Sequence, residues 1–235
     1  MKRREDRVRA RRLGIRPLEG GSLSVMQDSY EAFPLFPLGI VVLPGEVVPL
    51  HIFEDRYKTM VGECLDDDGE FGIVWVSDEG LRDVGCTVAI TEVLERMEDG
   101  RMNILTRGSS PFRLVRRVEE MAYPAGDIDL LEDAEDGDDP GGELEAGAEA
   151  RERYADLVER VTDDRPEDDD LAEMTAYAMA ATVELPLQAK QRLLELRSES
   201  ERLHAVGELL GAAMKRLDYV ERASERARSN GKVRS

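Results

Sequence analysis

Apolar residues fall in short runs with a period near two between Phe33 and Leu131, and at intervals of three and four beyond Tyr154. That change of period predicts strands first and helices second, an α+β order. Leu38 to Leu43 is a β-branched apolar run bounded by turn residues, which predicts a buried strand. Pro44-Gly45 supplies the fixed φ and the permissive φ of a tight turn. A second strand is expected over Val47 to Phe53. There Val48, Leu50 and Ile52 share one face, while Val47, Pro49, His51 and Phe53 share the other. Both faces are mostly apolar, which places this strand inside a closed or doubly covered sheet. Pro49, lacking an N–H, argues for an edge, a bulge or a strand start. Tyr57, Met60, Val61, Cys64 and Leu65 keep helical spacing up to Asp66-Asp67-Asp68-Gly69. Further strands are expected over Phe71 to Val76, Cys86 to Met97, Arg101 to Thr106, Phe112 to Val118 and Tyr123 to Leu131. Asp99-Gly100 is a strong hairpin signal between the second and third of these strands.

The later segment reads differently. Tyr154, Leu157, Val158 and Val161 form one helical face. The run Glu167 to Asp170 suits the first turn of a second helix, Leu171 to Glu184, because negative charge is favoured there. Pro186 fits the first turn of a third. Ser198 and Glu201 make a capping-box pattern for a fourth, in which Leu203, Val206, Leu210, Ala213, Met214, Leu217 and Val220 recur at helical period. From Asp127 to Glu149 there are acidic residues and no Lys or Arg. Such a segment buries too little apolar surface to offset its ordering entropy, so it is expected to be a linker. The expected organisation is a disordered basic tail (1–32), a barrel subdomain (33–132), an acidic linker (133–149), a helical bundle (150–226) and a disordered tail (227–235).

Charge narrows the function. The 235 residues carry a formal net charge of −19, which repels phosphate backbones and disfavours general nucleic-acid binding. An acidic surface of this kind steers basic segments towards it. No apolar run approaches the roughly 20 residues needed to cross a bilayer. The basic start, rich in arginine from Arg3 to Arg16, is followed by no apolar stretch of the signal-peptide kind. Cys64 and Cys86 lack metal-like spacing and fit a reducing cytoplasm.

Reactive chemistry is sparse. His51 and His204 are the only histidines, so a three-histidine metal site is impossible. His51 with Glu54 could be two ligands, or a base and its orienter, but no nucleophile accompanies them. A barrel histidine hydrogen-bonded to backbone is the simpler reading. The acidic stretch lacks the ordered ligand spacing of a calcium loop. No G-x-x-x-x-G-K-[ST] phosphate loop occurs, and Ser109 and Ser110 have no lysine nearby in sequence. No catalytic residue, metal ligand or cofactor is therefore assigned.

Phe36-Pro37-Leu38, Pro44-Gly45, Pro49-Leu50-His51-Ile52-Phe53-Glu54 and Arg56-Tyr57 together resemble the opening signature of the Lon protease amino-terminal, substrate-binding domain family. A second match comprises Gly85, Ile90, Asp99-Gly100-Arg101, Ile104, Gly108 and Phe112. A third runs from Leu185-Pro186 through Lys190-Gln191-Arg192-Leu193-Leu194-Glu195 to Arg202-Leu203. The resemblance covers Phe33 to about Leu217, against the usual single-domain size. Asp55 stands where the family usually has proline, and Pro111 where it commonly has arginine, which puts that arginine's role in doubt here. The resemblance implies a PUA-like, mostly antiparallel β pseudo-barrel followed by a carboxy-terminal α-helical bundle. Without a phosphate loop or a serine-lysine pair in the sequence, the expectation is a stand-alone, non-enzymatic module lacking the family's ATPase and peptidase parts. Such a module would recognise polypeptide or dock on a protein-quality-control partner, an ATP-dependent protease among them. Phe53, Phe71 and Trp75 are the candidate binding aromatics, against the competing reading that strand aromatics pack the core. The alternative function is a PUA-like nucleic-acid or small-ligand binder, an idea carried by fold analogy alone.

Overall fold

The computed structural model describes residues 28–119, 121–134 and 140–231, with the side chains at 140–144, 225 and 227–231 left aside. Most of the expected amino-terminal tail and the last four residues lie outside the described residues, as do residues 135–139 of the expected linker. The elements are β1 (Ser29–Leu38), β2 (Val47–Ile52), α1 (Asp55–Asp67), β3 (Glu70–Ser77), β4 (Gly80–Arg96), β5 (Met102–Val118) and β6 (Ala125–Leu130). Five helices follow: α2 (Pro140–Thr162), α3 (Asp168–Ala172), α4 (Ala176–Ala181), α5 (Leu187–Glu195) and α6 (Glu199–Gly231).

The sheet order β2-β5-β4-β3-β1-β6, with β5 also paired to β6, closes five strands into a ring and leaves β2 attached to β5 alone. Only β1 and β3 run parallel; the other pairs are antiparallel. Closure removes strand edges from the ring, as barrels do. Inside it Phe33, Leu35, Val74, Phe112, Leu114 and Ile128 form a buried cluster. Gly72 and Gly85 let Phe112 approach, since a Cβ at either would come within 2.8 Å of its ring.

Three strand expectations need correction. Leu38 to Leu43 is not a strand: β1 ends at Leu38, and Val41, Val42 and Leu43 are buried in irregular backbone. Their apolar character reports burial, and side chains satisfy the backbone where a ladder would have done so. Glu46 Oε2 accepts the Leu43 N–H at 2.9 Å, and Lys190 Nζ donates to the Val41 carbonyl at 3.1 Å. Next, β2 is not enclosed. Its residues alternate between exposed and half-buried until Ile52, as suits the edge position that Pro49 allows. Finally, Arg101 to Thr106 and Phe112 to Val118 belong to one strand, β5, which continues through Gly108 and Pro111 with shifts of register against β4. Such shifts bend and twist a strand.

The Leu43–Glu46 turn is tied on every side. Glu46 N–H donates to the Leu43 carbonyl at 3.0 Å, and Gly45 has φ +82°, as a tight turn after proline requires. Gly45 N–H donates to the Gly108 carbonyl and Gly108 N–H donates to the Glu46 carbonyl, both at 2.9 Å. Lys190 on α5 pairs with Glu46 Oε1 at 2.5 Å, both side chains being largely buried. On the same helix Gln191 Nε2 donates to the Val84 carbonyl of β4 at 3.1 Å.

The described chain divides into two compact units, one up to Ala134 plus Ala180–Arg197, the other Glu135–Met179 plus residues from Ser198 onward. Helix α5 thus groups with the strands. In the second unit α2 begins at Pro140, inside the segment expected to be linker. Small residues explain how it packs: Gly147 and Ala150 are buried, and the Cβ that Gly207 lacks would lie 3.6 Å from Ala150. The second expected helix, Leu171 to Glu184, is broken into α3 and α4. Thr175 Oγ1 accepts the Ala178 N–H and Glu199 Oε1 accepts the Ala176 N–H, so the new helix start has its own caps. Arg202 is buried over the Tyr177 ring at 4.6 Å and pairs with Glu199. Ser198 Oγ accepts the Glu201 N–H at 3.4 Å, one half of the capping box. No described helix is long and apolar enough to cross a membrane.

Gly108→Ala tests the tie between turn and strand. A Cβ there would stand 2.1 Å from the Leu43 carbonyl oxygen, a contact that backbone must move to relieve. The expected loss is about 3 kcal/mol, the upper range for overpacking, measured as a lower urea midpoint. Gly39→Ala, whose Cβ meets nothing within 4 Å, should leave the midpoint nearly unchanged.

Candidate functional site

Strand β2 and the adjoining ends of β4 and β5 form an arm whose outer face is open. The register sets His51 opposite Asn103 on β5 and Glu95 on β4 opposite the same residue, so three polar side chains make one row across three strands. His51 Nδ1 and Asn103 Oδ1 are 2.7 Å apart, and Asn103 Nδ2 donates to Glu95 Oε2 at 2.8 Å. With the proton on Nδ1 every bond in the row is satisfied in one direction, from imidazole to amide to carboxylate.

Apolar side chains surround this row. Phe53 is 59% exposed and Leu94 52%, and Val47, 42% exposed, lies further along β2 opposite Arg107. The rings of His51 and Phe53 stack with centroids 5.8 Å apart. Pro49, Leu50, His51, Leu94, Glu95, Asn103 and Ile104 line an open depression of about 570 Å³. A shift of register between Val93 and Glu95 breaks the strand alternation, and both Leu94 and Glu95 reach the depression. Exposed large apolar side chains gathered at one place, with a few oriented polar groups, are the usual mark of a binding surface.

Of the three candidate aromatics only Phe53 reaches solvent. Phe71 is fully buried with its ring 6.1 Å from Phe36, and Trp75 is buried with the Arg82 guanidinium 5.5 Å from its ring centre. The structure therefore does not bring the three to one surface. Reading from sequence missed Leu94, Glu95 and Asn103. The available signal was the adjacent pair Val93-Leu94, which interrupts the alternation of β4.

The remaining reactive side chains are held in structural roles. His51 is exposed and bonded to a side chain rather than to backbone. Glu54 bonds Arg56, and Asp55 bonds Lys58. Ser109 Oγ donates to Glu70 Oε1 at 2.9 Å. Tyr123 donates to Glu63 at 2.5 Å, and burial followed by that bond pushes its hydroxyl well above the ordinary value. Burial, reinforced by the carboxylates of Glu63, Asp67 and Glu70, pushes the Cys64 thiol up to about 12. Cys86 is pushed up more strongly, again chiefly by burial, against the lowering effect of backbone bonds from Ser109 and Ser110. Among the described residues no group of three or more His, Cys, Asp or Glu could hold a metal ion.

A five-strand ring with an appended outer strand and following helices makes this an α+β protein of the PUA-like pseudo-barrel class. Residues 32–212 match the family model described as the ATP-dependent protease La (LON) substrate-binding domain. The chain belongs to that family. It is 26% identical over 200 residues to Lon protease 2 of Myxococcus xanthus, a match that takes in 78% of this chain and 24% of that protein. With the Lon protease of Anaeromyxobacter dehalogenans it is 25% identical over 213 residues, 83% of this chain and 25% of the other. The chain thus spans about a quarter of the length of the curated relatives it matches. Among solved structures it is similar to the Lon N-terminal domain protein from Xanthomonas campestris, with a TM-score of 0.56 and 26% identity over 77% of this chain and 97% of that one. The N terminal domain of Mycobacterium avium complex Lon protease gives a TM-score of 0.58 at 19% identity, over 77% and 98% of the two chains, a likeness of fold.

The thiols give a direct check on this inventory. At pH 8 both should be protonated and unreactive towards an aromatic disulfide reagent over minutes, because the thiolate is the reactive form. Both should react at once in denaturant. Fast reaction of either thiol in the native protein would contradict its burial.

Proposed function

We propose that this chain is a non-enzymatic recognition domain that binds extended, apolar-rich polypeptide on the outer face of β2 and the adjoining ends of β4 and β5. The observation that carries the reading is the exposure of Phe53 and Leu94 beside the depression lined by Pro49, His51, Glu95 and Asn103. Apolar side chains of a bound segment would cover them. The family description, a substrate-binding domain, supports the same assignment. The absence of a phosphate loop from this sequence supports recognition without ATP hydrolysis by these residues. Its setting is the cytoplasm, and its partner an ATP-dependent protease or another member of the protein-quality-control machinery.

Anisotropy of a labelled unstructured peptide with a central apolar triplet tests this at low salt. The double variant Phe53→Ser, Leu94→Ser should weaken binding by at least about thirtyfold, as expected from losing roughly 2 kcal/mol of apolar contact. Its thermal unfolding should match that of the parent protein, since both side chains are solvent-exposed. Unchanged affinity in the double variant, or no saturable binding by the parent, would contradict the assignment.

A further inference from the structure

The row across β2, β5 and β4 ends on a carboxylate, and that asymmetry says more than apolar exposure does. Asn103 donates one amide hydrogen to Glu95 Oε2 while its Oδ1 faces His51 Nδ1, so the Glu95 side chain is held from one side only. Among the described residues Glu95 has no ion-pair partner, unlike Glu54, Asp55 and Asp99 close by in the sequence, each of which pairs with an Arg or Lys. It also lines the depression together with Leu94, its neighbour in the chain. An oriented carboxylate without a cation thus stands beside an exposed aliphatic side chain, in a chain of net charge −19.

We propose that Glu95 sets the specificity of this face by pairing with a lysine or arginine of the bound polypeptide that lies next to an apolar residue seated against Leu94. The proposal rests on the recognition reading above and adds the substrate class, a basic residue flanking an apolar stretch. Asn103 is the positioning residue, because its amide fixes the carboxylate before the ligand arrives, and His51 in turn orients that amide. Arg107 does not compete for the carboxylate. It sits further along the strand, opposite Val47, and donates to the Gly45 carbonyl at 3.1 Å. The attraction is between charges at the surface, so it weakens as salt rises.

The test uses three labelled unstructured peptides that share one apolar triplet followed by lysine, glutamine or glutamate. Binding is measured by anisotropy at low salt for the full chain and for Glu95→Gln and Glu95→Lys. The glutamine side chain still accepts the Asn103 hydrogen bond, so the first variant removes charge alone. The parent should bind the lysine peptide about fivefold more tightly than the glutamine peptide, the upper end for an exposed ion pair. Glu95→Gln should level the two, and Glu95→Lys should favour the glutamate peptide. Circular dichroism and thermal unfolding that match the parent's would show that both variants fold, since Glu95 is solvent-exposed. A lysine preference that survives in Glu95→Gln would overturn the proposal and assign the discrimination to overall charge. A parent that binds the glutamine peptide but gains nothing from lysine would overturn the Glu95 assignment and leave the recognition reading standing. A parent that binds none of the peptides would overturn both.

Discussion

The lock between the Leu43–Glu46 turn and Gly108 is the constraint on which the arm depends. Two backbone hydrogen bonds join the turn to the middle of β5, and a side chain at position 108 would occupy the space of the Leu43 carbonyl. Glu46 alone supplies three restraints, one of those two bonds among them. Its carbonyl accepts from Gly108, one carboxylate oxygen accepts from Leu43, and the other pairs with Lys190. Removing one partner of a largely buried pair leaves the other charge uncompensated, which costs far more than the pair itself contributes. The consequence is geometric. The turn delivers Val47 onto β5 in fixed register, and that register sets His51 opposite Asn103.

A site built this way sits on strands rather than on a mobile loop, so its side chains keep their spacing. Burial of the neighbouring residues supplies the support: Ile52 and Ile104, from β2 and β5, are fully buried, while Phe53 and Asn103, each next to one of them in sequence, reach solvent. Strand alternation thus divides each strand between core and recognition surface. The bulge in β4 suspends that alternation at one place, and there an aliphatic residue and a carboxylate reach the same depression.

Much of this was legible in the residues. Pro44-Gly45 and Asp99-Gly100 predict turns by backbone chemistry, and Gly45 and Gly100 do take positive φ. Helix α1 follows from its spacing, and the family follows from long ordered matches. The edge position of β2 could be had from Pro49 alone, although the apolar character of both faces argued for enclosure. What escaped had physical causes. An apolar run reveals burial and not pairing, so Val41 to Leu43 passed for a strand while Glu46 and Lys190, one of them far along the chain, satisfied its backbone. Acidic composition hid the start of α2, because the packing there uses Gly147 and Ala150 in place of large side chains. Aromatic content pointed to Phe71 and Trp75, but both are buried on the face of β3 opposite Val74, Phe71 beside Phe36, whose ring meets Tyr57 of α1, and only Phe53, past the last paired residue of β2, stays exposed.

Backbone amide chemical-shift mapping of the full chain, titrated with an unstructured peptide that carries an apolar triplet followed by lysine, tests the central claim most directly. The account predicts saturable changes concentrated at Val47 to Phe53, Leu94 to Arg96 and Met102 to Ile104, with α6 silent. Saturable changes confined to the helices, with β2 and the end of β4 unmoved, would contradict it.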